Sequence, residues 1–254
     1  LCAATAGVWL ISHQSPAAGE LLRGLAQHTA ACISRITGVL PIPINEWLIG
    51  LALGLVLYRL IRGLWKKQWA ALGRGLCRVI FFAALTVFLF MALFMVQHSA
   101  PPLAQRMGLT VEQYTQAQLE EYCDYAVEQV NRLAEQVPRK EDGECDFGAF
   151  RPLSRLVSAE YETLAAAEPV FDAPRPGLVK RSLLGGRIMS LVDLAGYYFP
   201  WTGESIVSSD VVDTHIPFNI AHERAHALGI GPEAECNFAA WLALKDSQDL
   251  RLQY

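Results

Sequence analysis

Charge is scarce in this chain. Lys, Arg, Asp and Glu make up 18% of its 254 residues and apolar residues 52%, a balance that argues against an ordinary soluble domain of this length. Cysteine spacing offers little: six Cys occur without any Cys-x-x-Cys, which leaves out thiolate zinc ribbons and thioredoxin-like redox motifs. Cys123 and Cys145 could pair as a disulfide or remain free buried thiols, and Cys236 is expected to pack as a small apolar residue. No internal repeat or low-complexity stretch is present, so repeat arrays drop out. The pair Gly185-Gly186 lacks the G-x-x-x-x-G-K setting of a phosphate loop.

What the chain does have is apolar length at its N-terminal end. Val79 to Val96 contains no charged side chain and is long enough to cross a bilayer core. Glu46 to Ile61 reads as another span, with Glu46 near one interface and Arg59 and Arg62 near the other. Leu1 to Ser12 is apolar but short and reads as the trimmed end of a first span, since a basic start and a small-residue cleavage site for a signal peptide are not visible. The expected layout is a membrane region over 1–96, with a partial span at 1–12 and spans at about 44–64 and 77–96. An extracytoplasmic domain over 97–254 follows. The orientation comes from Arg59, Arg62, Lys66, Lys67, Arg74 and Arg78, which cluster around one connection with no intervening acid. The positive-inside rule puts that connection in the cytoplasm and everything after Val96 outside. The basic cluster is too short and too close to two spans to read as a nucleic-acid site.

Residues 15–43 repeat Leu21, Leu22, Leu25, Cys32, Ile33, Ile36 and Leu40 at helical spacing. Two placements fit: an amphipathic helix on the outer membrane surface, or a helix packed on the outer domain. Pro41-Ile42-Pro43 ends it, and Asn45-Glu46 is expected to cap the next span. Beyond Gln97, a capping box at Thr110-Val111-Glu112-Gln113 predicts a helix over about 111–136. Further helices are expected over 153–168 and 182–194. Gly203 to Ser209 is the one clear strand candidate, expected as an edge strand beside the site and able to pair with an extended substrate. A structural hairpin is the other reading of that strand. The aromatics at 197–201 read as core or membrane-interface residues.

The most specific signal is His222-Glu223-Arg224-Ala225-His226. Positions i and i+4 share one helical face, so both imidazoles reach one metal ion, and Glu223 is placed to act as the base. Pro217 suits a first helical turn and Gly229 a C-terminal stop, which predicts a helix over 217–228. A second helix is expected from Pro232. Glu233 and Glu235 point to different sides of it, so only one can reach the metal. Glu233 is preferred as third ligand because Asn237 lies one turn on, where it can hydrogen-bond a ligating His. Glu235 and His215 remain alternatives, although acids in a first turn also serve the helix dipole and a lone His before a helix is often a cap.

Gly196-Tyr197-Tyr198-Phe199-Pro200-Trp201-Thr202-Gly203-Glu204, Ile216-Pro217-Phe218, His222-Glu223-x-x-His226 and Glu233-Ala234-Glu235-Cys236-Asn237-Phe238 together resemble the domain of unknown function 3810 family, over nearly the whole chain. The resemblance implies a multi-pass bacterial membrane protein with a zincin-like site, in a family whose members continue past the position of Tyr254. The Glu-x-x-Cys-Asn segment is also similar to the Glu-x-x-Ala-Asp pattern of membrane gluzincin peptidases. That likeness matches Glu233 to a ligand and Asn237 to the residue that orients one. Cys236 and Asn237 depart from that pattern.

The expected fold is mainly α: transmembrane helices, then a helical zincin-like domain with a small β element near the metal helix. The expected function is an integral membrane Zn2+-dependent metallohydrolase, foremost a peptidase, with the lipid bilayer and a peptide or protein substrate as partners. A zinc-stabilised sensor or scaffold, and a zinc amidase acting on cell-envelope amides, are the alternatives.

Overall fold

The computed structural model describes residues 1–254. Ser15 accepts a hydrogen bond from the Ala18 amide and Pro16 takes the first helical position. This junction separates α1 (Cys2–Gln14) from α2 (Pro16–Thr37). Two long apolar helices follow, α3 (Ile44–Trp65) and α4 (Trp69–Leu93), the latter extended by a 3-10 turn over Met95–Ser99. Both are long and apolar enough to cross a membrane. Only Asn45, Glu46 and Gly63 are buried in α3, and nothing is buried in α4. Their outward surface is therefore almost wholly apolar and uncovered. The expected basic loop shrinks to a turn at residues 66–68, because α4 starts eight residues before the expected 77 and takes in Arg74 and Arg78. Long basic side chains near a helix end can reach out to water, so the helix continues through them.

The remaining helices are α5 (Leu103–Arg106), α6 (Gln116–Ala134), α7 (Phe150–Ala167), α8 (Gly186–Leu191), α9 (Ile216–Ala227), α10 (Glu233–Leu244) and α11 (Leu250–Gln253). The strands are β1 (Lys180–Arg181), β2 (Gly196–Phe199) and β3 (Glu204–Val207), in the order β1-β3-β2. The capping box that opens α6 is Thr115 with Gln118, five residues later than expected. Both segments read Thr-x-x-Gln, and no local pattern separates them. The helix expected over 182–194 shortens to α8. All six cysteines are free: Cys123 lies on the exposed α6, while Cys145 packs beside the core, so the pairing raised from sequence does not form.

The core gathers α7, α9 and α10. Leu153, Val157, Tyr161, Ile220, Ala221, Ala225, Cys236, Ala239 and Ala240 are buried together. The alanines let α9 and α10 approach closely, and the Tyr161 hydroxyl donates to the Ala221 carbonyl at 2.9 Å. Burial pushes that phenol well above its usual range.

The strand expected at the sheet edge is instead its centre. β3 pairs in parallel with β1 and antiparallel with β2, and every residue of it is buried. The expectation missed β1, which has only two residues, and β2, whose aromatics disguised a strand.

Helix α2 resolves its own ambiguity by an unexpected face. Gly19, Ala26, Ala30, Ala31 and Ser34 are buried, while Leu21, Leu25 and Ile36 stay exposed and Leu22 and Ile33 are half-buried. The helix thus packs on its neighbours through small residues and turns its apolar stripe outward. At the start of α3, Asn45 does not cap. The Glu204 carboxylate of β3 accepts from the Ile44 and Asn45 amides at 2.8 Å each. Lys180 completes this latch, donating to Glu204 at 2.6 Å and to the Thr37 and Ile42 carbonyls at 2.9 Å. An end of α2 and the start of α3 are thereby tied to the sheet.

Candidate metal centre

The site is built where α9 stops. Gly229, at φ +90°, ends the helix, with its amide donating to His226 and the Ile230 amide reaching back to Ala225. This left-handed stop needs glycine. It also turns the Ile230 carbonyl toward the helix, where it faces His226 Nδ1 at 3.0 Å. The turn then folds α10 back, so that its first residue, Glu233, meets the His pair.

His222 Nε2 lies 3.0 Å from Glu233 Oε2, and His226 Nε2 lies 3.4 Å from Glu233 Oε1. His222 Nδ1 is 2.8 Å from Asn237 Oδ1. Each ring thus has an oxygen acceptor facing Nδ1, and the tautomer protonated there is the one that leaves the Nε2 lone pair free for a metal. Two lone pairs and a carboxylate converging on one point repel one another unless a cation or a proton lies among them. Ligand atoms around a tetrahedral ion with bonds of about 2.0–2.1 Å stand about 3.3 Å apart. The two His–Glu separations, 3.0 and 3.4 Å, are close to that value, and the three donors together lie within 4.8 Å of one another. The set of two imidazoles and one carboxylate suits zinc. Burial lowers the pKa of His226, partly offset by Glu233, which favours the neutral ring that a metal needs.

Glu223 sits beside this cluster and is buried, with Oε2 lacking any partner. Burial, and then the negative charge of Glu233, push its pKa well above the ordinary carboxylate range. A carboxyl whose pKa is raised in this way binds a proton more strongly than an exposed one, which suits a group that exchanges protons. Its backbone carbonyl accepts from Ser205 Oγ of β3 at 2.8 Å. Its carboxyl group packs against Gly196 of β2: a Cβ on that residue would lie 2.5 Å from Oε1.

His222, His226, Glu233 and Asn237 come together as expected. Glu235 does not join them, because its Oε1 accepts from the Leu103 amide at 3.0 Å and faces α5. His215 is exposed before the first turn of α9, outside the cluster. Reading the sequence missed four participants. They are Gly196, the Ile230 carbonyl, the Cys236 thiol 3.3 Å from His226 Nδ1, and Phe94, whose ring centroid lies 5.6 Å from that of His226. A glycine inside an aromatic strand was the available signal for Gly196, since it marks a close approach. Phe94 matters for placement, because it directly follows α4 and also packs on Tyr198 of β2.

Fold and site define a class: a mainly helical protein with two helices long and apolar enough to cross a membrane, and a His-His-Glu cluster able to hold a metal. The family described as protein of unknown function (DUF3810) matches residues 22–254, and the chain belongs to it. No curated protein and no solved structure matches the chain.

Proposed function

We propose that the chain is an integral membrane zinc-dependent hydrolase, foremost a peptidase acting on the extracytoplasmic side. One observation carries the reading. The Nε2 atoms of His222 and His226 converge on the Glu233 carboxylate with both Nδ1 atoms already engaged, and the unpartnered carboxyl of Glu223 lies alongside. His222, His226 and Glu233 would hold the ion. Zinc in such a site polarises a carbonyl and brings the pKa of water toward neutrality.

The chain's own groups supply the rest. Asn237 and the Ile230 carbonyl fix the two rings, so the Nε2 atoms keep their aim. Glu223 takes a proton from the attacking water and returns it to the leaving nitrogen. Its burial raises its basicity, and Gly196 sets its position from the β2 side. The membrane reading rests on α3 and α4, with the basic residues at Arg62, Lys66, Lys67, Arg74 and Arg78 gathered at their shared end and assigned to the cytoplasm.

The test is metal content together with cleavage. Purified wild type should hold about one zinc per chain and cut members of a peptide library, while Glu223→Gln should hold the same zinc and cut nothing. Equal zinc in wild type and His222→Ala would overturn the site.

A further inference from the structure

Leu183, Leu184, Ile188, Leu191 and Val192 are five large apolar side chains within ten consecutive positions, and each is more than half exposed. Scattered exposed leucines are ordinary, but a cluster of this kind marks a contact surface. The segment is not a loose loop. Met189 and Gly186 are buried beneath it, Ser208 Oγ donates to the Gly186 carbonyl at 3.3 Å, and α8 therefore has an inner and an outer side. The outer side is nearly free of negative charge. Asp193 is the one acid between Ser182 and Ala195, and Arg187 is exposed among the apolar residues.

Its position says what covers it. The Glu46 carboxylate, in the first turn of α3, accepts from Ser182 Oγ at 2.5 Å and from the Leu183 and Leu184 amides at 3.1 and 2.7 Å. The next residues of α3, Trp47, Leu48 and Ile49, are exposed and apolar. The patch is thus pinned within one turn of the end of α3 and continues its uncovered apolar surface. A Trp at that level is typical of a membrane–water boundary, and an exposed Arg can extend its head to lipid phosphates.

We infer that residues 183–194 form a second lipid-contacting element, which dips into the outer leaflet beside α3 with Ile188, Leu191 and Val192 among the acyl chains. Elements of this type bury their apolar side roughly 5–10 Å below the headgroup boundary. The inference rests on the reading of α3 as a membrane span. It has a consequence for the site. The segment runs through Ala195 directly into β2, where Gly196 lies against the Glu223 carboxyl. Lipid contact therefore steadies the strand that positions the base, and a substrate meets the cluster at the bilayer surface.

The experiment uses the full chain in liposomes of phosphatidylcholine and phosphatidylglycerol. Cys2, Cys32, Cys77, Cys123 and Cys145 are replaced by Ser, and the fully buried Cys236 is left in place. An environment-sensitive NBD label goes on Ile188→Cys in one protein and on Leu53→Cys, in the middle of α3, in another. Circular dichroism checks both folds. A blue-shifted label at position 188, quenched by lipids carrying a nitroxide near the headgroup and protected from aqueous iodide, is the expected result. If position 53 is quenched by lipid while position 188 is reached by iodide, the inference is overturned and the span stands. Iodide access at both positions removes the span and the inference together.

Discussion

Substituting Gly196 by Ala probes the least visible part of the site. Gly196 is not among the glycines with positive φ, so alanine needs no change of backbone. The added methyl would lie 2.5 Å from Glu223 Oε1, 2.8 Å from Cγ and 2.9 Å from Cδ, well inside contact distance for three atoms of one buried side chain. Either the strand or the carboxyl group must shift. Overpacking of a buried position costs about 1–3 kcal/mol. For a domain of ordinary size this lowers the unfolding temperature by about 2–4 °C per kcal/mol. If the clash is with the Glu223 carboxyl, truncating it with Glu223→Ala makes room for the methyl. The cost of Gly196→Ala should then nearly vanish in that background, giving a coupling of about 1–3 kcal/mol in a double-mutant cycle. Thermal unfolding of wild type, both single variants and the double variant in detergent measures it. Zinc content, read in parallel, should stay at the wild-type level in all four, since no proposed ligand is touched. Where a substrate is in hand, a displacement of about 1 Å in the base should reduce turnover about a hundredfold. An equal cost of Gly196→Ala with and without the Glu223 carboxyl would refute the packing of strand on base.

The other predictions concern ligands, base and topology. Glu233→Gln should lose most bound zinc, whereas Glu235→Gln should keep both its zinc and its stability, because the Gln carbonyl oxygen still accepts from the Leu103 amide; the reverse pattern in elemental analysis would move the ligand to Glu235. Asn237→Ala should weaken zinc binding roughly 10–100-fold by freeing the His222 ring, as read by competition with a chelator, and an unchanged affinity would remove Asn237 from the site. Glu223→Gln should leave metal content intact while abolishing hydrolysis, and a variant with wild-type turnover would rule it out as the base. In intact cells, with the native cysteines replaced, a membrane-impermeant thiol reagent should label Glu141→Cys and spare Lys67→Cys; the opposite pattern would invert the topology.

Much of the site was legible because it is local. His222 and His226 share a face through helical geometry alone, and Gly229 marks the stop. The turn through Gly231-Pro232 announces a second helix. That Glu233 and Glu235 face different sides of the second helix, with Asn237 one turn from the former, was also readable from helical spacing. Less local features were misread. The Thr110 capping box lost to an equivalent one at Thr115, and the cap expected of Asn45 comes instead from Glu204, far along the chain. The stripe of large apolar residues on α2 suggested the packed face, yet the alanines and Gly19 are buried and the stripe is exposed. Hydrophobic periodicity finds an apolar side of a helix but does not say whether protein or lipid covers it.

The sequence by itself determined the two long apolar helices and the His pair one turn apart, because both follow from composition and spacing within a single element. Tertiary structure alone decided that β3 is the centre of its sheet, that Gly196 rests on the Glu223 carboxyl, and that Lys180 and Glu204 tie α2 and α3 to the strands. These contacts join residues from distant parts of the chain. Nothing in the residues around either partner encodes such a meeting; it exists only after the strands have paired and the buried polar groups have had to find one another.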